Sequence, residues 1–100
     1  MNQIKVKEFH NLPDMNVKKR IDSYFENIKR QHDEMIDSII VKWNGKNAEV
    51  KLNIVGMKIK GNIHLEEEQI TVIGELPPVA EEYKDKLEHI IRYELYSLLN

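Results

Sequence analysis

The stretch IIVKWNGKNAEVKLNIVGMKIKGNIHLEEEQITVIGE, Ile39 to Glu75, decides the fold. Its apolar residues recur at every second position, the period of strands with one buried face. Asn44-Gly45 is the strongest short hairpin signal in it, because a type I′ turn needs positive φ at both central residues. A turn there predicts Trp43 opposite Lys46, Val41 opposite Ala48 and Ile39 opposite Val50. A second turn at Val55-Gly56 pairs Ile54 with Met57, Leu52 with Ile59, Val50 with Gly61 and Ala48 with Ile63. A four-residue loop, Glu66 to Gln69, pairs Leu65 with Ile70, Ile63 with Val72 and Gly61 with Gly74. All three hairpins keep their apolar residues on one face. A slip of one residue would turn a whole strand inside out, so the agreement supports a four-stranded antiparallel meander.

Working outward, the period changes to that of helices. Before the meander, Val17, Ile21, Tyr24, Phe25, Ile28 and Met35 fit one helical face, with Lys18, Lys19, Asp22, Glu26, Lys29 and Arg30 opposite. Pro13 suits the first turn of this helix, and Asp14 or Asn16 is placed to cap it. After the meander, Leu76-Pro77-Pro78 stops the sheet. A closing helix then carries Val79, Ala80, Tyr83, Leu87, Ile90, Ile91, Leu95, Leu98 and Leu99 at helical spacing. Gln3 to Phe9 alternates Ile4 and Val6 against Lys5 and Lys7 and reads as a further strand.

The sum is one α+β domain over residues 1–100, ordered β-α-β-β-β-β-α. Both helices pack on the single apolar face of an antiparallel sheet, giving two layers. The expected core is Ile21, Phe25, Ile28, Ile39, Val41, Val50, Leu52, Ile59, Ile63, Val72, Leu87, Ile91 and Leu95. The first strand can join either edge of the meander. Pairing with Ile39–Trp43 is favoured, because that strand has only Lys42 as an outward charge to protect it. The chain is then a monomer, with a weak homodimer as the alternative.

Composition removes several function classes. Cysteine is absent, which excludes disulfides, thiolate zinc sites and cysteine nucleophiles and suits a cytoplasmic protein. The formal net charge is −2, where a dedicated nucleic-acid binder carries a basic excess. The apolar runs are too short for a transmembrane segment, and Met1 to Glu8 lacks the apolar stretch of a signal peptide.

Specific chemistry is sparse. His10, His32, His64 and His89 are far apart in sequence, and none has a metal-ligand partner at helical spacing, so surface or capping roles are expected. Glu66-Glu67-Glu68 lacks the alternating oxygen ligands and glycine turn of a calcium loop. Gly56-x4-Gly61 leads into Asn62-Ile63 within a strand and not into a helix, so it is no phosphate loop. No catalytic, cofactor-binding or metal-binding set emerges, and no cofactor is implied. Lys51, Lys58 and Lys60 share the outer sheet face and form a possible site for an anionic partner, with Lys5 or Lys7 as possible neighbours. Acidic Glu49 and Glu75 on the same face point instead to simple solvation. Gly61 and Gly74 should oppose one another on the core face, where a glycine needs a reason. Close helix packing is one reason, and a pocket for a small apolar ligand is the other.

The ordered features resemble a known family, the polyhydroxyalkanoic acid system proteins. They are the Ile4-Lys5-Val6 strand, His10-x-Leu12 before a charged helix, Trp43-x-Gly45, Gly56 and Gly61, Leu76-Pro77, and a closing amphipathic helix ending in Leu98-Leu99. The resemblance covers nearly the whole chain. It implies a small bacterial protein associated with polyester storage granules, and it carries over no catalytic residue. Two functional expectations follow. The first is a non-enzymatic accessory protein that binds a protein partner or granule surface, marked by an exposed apolar patch. The second is a small apolar-ligand binder with a pocket between helices and sheet, marked by an internal cavity.

Overall fold

The computed structural model describes residues 3–100. Met1 and Asn2, which open the segment read as free of a leader, lie outside the described residues. One sheet contains β1 (Gln3–Phe9), β2 (Ile36–Asn44), β3 (Asn47–Ile54), β4 (Met57–Glu66) and β5 (Gln69–Glu75). Helix α1 (Asp14–Gln31) joins β1 to β2, and α2 (Lys84–Leu99) follows β5. The strands are antiparallel throughout in the order β1-β5-β4-β3-β2. Both helices cover the face that carries Val50, Ile63 and Val72, so the architecture is the expected two-layer α+β fold.

Two of the three hairpin registers match the sequence reading. Ile54 faces Met57, Val50 faces Gly61, and Ala48 faces Ile63. Leu65 faces Ile70, Ile63 faces Val72, and Gly61 faces Gly74. The Glu66–Gln69 loop is tighter than expected, because those two residues pair with each other and leave only Glu67-Glu68 to turn. The backbone N–H of His10 donates to the Glu68 carbonyl at 3.0 Å, which ties this turn to the end of β1.

The first hairpin differs by two residues. Trp43 faces Ala48, Val41 faces Val50, and Ile39 faces Leu52. Asn44 pairs with Asn47 as a strand residue, so the turn is Gly45-Lys46. Gly45 has φ +62, while Asn44 and Lys46 do not share a positive φ, the arrangement of a type II′ turn with glycine first. A slip of two keeps every side chain on its face, so the hydrophobic pattern cannot detect it. Packing decides it. The expected register would bring Lys46 onto the inward face, whereas the observed one sets the large Trp43 against the small Ala48. Lys46 instead lies 3.6 Å from Asp14.

The N-terminal strand does not protect β2, as the sequence reading favoured. It pairs with β5, with Ile4 opposite Gly74 and Val6 opposite Val72. The helix explains this. α1 reverses the chain once, so β1 and β2 run in the same direction. Side by side they would form a parallel pair, whereas β5 offers β1 the somewhat stronger antiparallel ladder. With 18 residues, α1 is about 27 Å long, enough to span a five-stranded sheet about 19 Å wide. β2 is therefore left as an open edge.

The helix ends also depart from expectation. Neither Asp14 nor Asn16 caps α1 through its side chain. The N-cap is Pro13, whose carbonyl accepts from the Asn16 and Val17 N–H groups. Residues Pro78–Tyr83 form a 3-10 turn before α2 begins. No basic residue stands in the last turn of α2, but Arg20 of α1 donates to the Leu98 carbonyl at 3.0 Å. That contact places a cation at the negative end of α2 and links the helices.

The sealed core is smaller than the expected one and displaced from it. Ile21, Val50, Ile63 and Leu95 are buried as expected. Phe25, Ile28, Ile39, Val41, Leu52, Ile59, Val72, Leu87 and Ile91 are only half-buried. The tightest burial lies around β1, β4 and β5, at Val6, Leu65 and Ile70, beneath Val17 and Leu99.

Candidate functional site

Six of these half-buried residues, Phe25, Ile28, Leu52, Ile59, Val72 and Ile91, border one space. Between the helices and the sheet lies a cavity of about 330 Å³. α1 contributes Ile21, Tyr24, Phe25 and Ile28 to its wall, and α2 contributes Ile90, Ile91, Glu94, Leu95 and Leu98. Val50, Leu52, Ile59, Ile63 and Val72 form the sheet side. Ile90 lines the cavity and is also 47% exposed, so the space reaches solvent beside α2.

Gly61 and Gly74 lie on the floor of this cavity, directly opposite one another. They differ in why they are glycine. A Cβ on Gly61 would lie 3.0 Å from the Ile73 carbonyl oxygen, so close backbone approach favours glycine there. A Cβ on Gly74 would meet nothing within 4 Å. Sterics therefore do not require glycine at position 74, and its effect is to leave the floor open. Where these two lack side chains the floor is backbone, which brings the neighbouring Lys60, Asn62, Ile73 and Glu75 into the lining. By strand alternation the side chains of those four residues belong to the outer face.

The polar side chains on the helical wall are Tyr24 and Glu94. Burial, and then the adjacent Glu94 carboxylate, hold the Tyr24 phenol above its ordinary range, so it is protonated at neutral pH. The sequence reading missed this pair. One signal was present: Glu94 interrupts the apolar run from Ile91 to Leu95 and Leu98, and a carboxylate within an inward helical stripe is informative.

The outer-face lysines are partly brought together. Lys51 pairs directly with Lys60, and Lys58 pairs with Asn53. Lys5 and Lys7 stand on β1, separated from β4 by β5. Glu49 pairs with Asn62 on the same face. The face is mixed in charge.

Two of the histidines, His10 and His64, take local structural roles. His10 is buried, and its Nδ1 accepts from the Leu12 N–H at 3.1 Å, capping the turn into α1. His64 pairs with Thr71 across the strands, as its register implied, and also meets Asn47 and Glu66. Among the described residues, no group of three His, Asp or Glu side chains is placed to hold a metal ion. Among the same residues, no helix is long and apolar enough to cross a membrane.

The model of the family described as "Putative polyhydroxyalkanoic acid system protein" matches residues 4–99. No curated protein and no solved structure matches the chain.

Proposed function

Because the chain belongs to the polyhydroxyalkanoic acid system protein family, we propose that it is a non-enzymatic accessory protein of that system which binds an apolar ligand between its helices and its sheet. The observation that carries this reading is the cavity floor at Gly74, where the fold leaves room that no packing requirement explains. The cavity size falls in the range of small-molecule sites, and its wall is aliphatic and aromatic with few polar groups. A cavity about twice the size of the engineered one that takes benzene suits an aliphatic ligand of roughly a dozen heavy atoms. The test is thermal unfolding with and without 1-octanol. A ligand held by the folded state alone raises Tm by mass action. Gly74→Leu, which fills the floor, should abolish the rise. An unchanged Tm for the unmodified protein at saturating alcohol would refute the reading.

One observation favours a second reading, attachment to a protein partner or to a granule surface. Tyr83, Ile90 and Tyr93 are 53%, 47% and 70% exposed. Ile90 stands at the cavity mouth, and Tyr93, three residues on, shares its side of α2. Co-sedimentation with isolated polyester granules separates the two readings. Loss of sedimentation in Tyr93→Ser, with octanol binding intact, would assign the surface a role of its own.

A further inference from the structure

The charge of the cavity wall says which ligands the cavity can accept, an inference that rests on the ligand-binding reading above. A free carboxylate carried past the mouth at Ile90 would leave water for an aliphatic environment, which is costly without a partner, and one held at the mouth would stand one helical turn from Glu94. No lysine or arginine side chain is offered by the helical wall or the inward sheet residues, and Lys60 belongs to the outer face. The ionisable carboxyl in the wall is Glu94, which would repel a second carboxylate. The same group is a strong acceptor for a ligand hydroxyl, and the Tyr24 phenol, whose O–H is directed at Glu94, becomes a donor for a ligand oxygen once that hydroxyl takes its place.

We propose that the cavity takes one uncharged aliphatic chain bearing a hydroxyl or ester oxygen, and that Glu94 with Tyr24 selects this neutral form over the free hydroxy acid. In the polyhydroxyalkanoic acid system that the family's description names, the neutral ligand of that chemistry is the esterified hydroxyalkanoate unit. The released, ionised monomer is excluded.

Paired probes that differ only in that charge test the selection. Methyl 3-hydroxyoctanoate and 3-hydroxyoctanoate are titrated at pH 7.5 into the ¹⁵N-labelled full chain, and the amide signals of Gly61 and Gly74 are followed. The expected result is saturable shifts with the ester and binding at least about tenfold weaker with the acid. Glu94→Gln should narrow that ratio by strengthening the acid, and Tyr24→Phe should weaken the ester without admitting the acid. Unchanged dispersion of the remaining amide signals confirms that each variant is folded. Equal or tighter binding of the acid, or an unchanged ratio in Glu94→Gln, would overturn the selection while leaving the cavity as a ligand site. Absence of binding by both probes to the unmodified chain would overturn the ligand reading itself, and the selection with it.

Discussion

Gly61 and Gly74 form a directly opposed pair on β4 and β5, yet only the first is crowded: a methyl group there would lie 3.0 Å from the Ile73 carbonyl oxygen, and one on Gly74 would touch nothing. The two residues therefore answer differently to the same substitution. Gly61→Ala should cost roughly 1–3 kcal/mol, as overpacking against backbone does. Gly74→Ala should gain about 0.5–1 kcal/mol, because alanine loses less conformational freedom in a strand. Urea midpoints compare them, and equal losses would show that the space above Gly74 is not open.

The turns make a second contrast. Gly45 has φ +62, so Gly45→Ala should destabilise by about 1–2 kcal/mol. Asn44 sits in the ladder opposite Asn47, so Asn44→Ala should change stability by less than about 0.5 kcal/mol. A type I′ turn at Asn44-Gly45 would reverse the second expectation. At the next hairpin Val55 holds φ 49, an unfavourable conformation for a β-branched side chain. Val55→Gly should therefore stabilise by about 1 kcal/mol, read as a raised urea midpoint.

Core truncations should separate the sealed half of the molecule from the open half. Leu65 is fully buried in the core cluster, so Leu65→Ala should cost roughly 2–5 kcal/mol. Leu52 already borders the cavity and is half-buried, so Leu52→Ala removes fewer contacts and should cost less. Addition of 1-octanol stabilises every variant that keeps the cavity, the unmodified chain included, and should recover a larger share of the Leu52→Ala loss, whose truncation borders the site, than of the Leu65→Ala loss. Equal recovery would argue against a localised site.

The open edge gives the fourth expectation. β2 has β3 on one side and no strand on the other among the described residues. The irregularity between Ile36 and Ser38 blunts one end, and Lys42 supplies an outward charge near the other. Between them Ile40 is 48% exposed. Association at high concentration should run through this strand, and Ile40→Lys should suppress it in light scattering. Deleting residues 3–9 is expected to act elsewhere. It strips β5 of one of its two partners and uncovers Ile70, so loss of folding, and not edge pairing at β2, is the expected outcome.

The alternation from Ile39 to Glu75 was enough to read the strands, the inward face and two of three registers, because parity along a strand is a local property with a large burial penalty behind it. Helical spacing was likewise enough to find α1 and α2. Tertiary structure decided what parity cannot express. A two-residue slip leaves every face unchanged, so only the fit of Trp43 against Ala48 chose the Gly45-Lys46 turn. The edge taken by β1 depended on the single chain reversal through α1 and the antiparallel partner available at β5. The opposition of Gly61 and Gly74 was legible from register alone, but the space above them was not. That space lies between two helices and a sheet, and no local pattern records a gap between three packed elements.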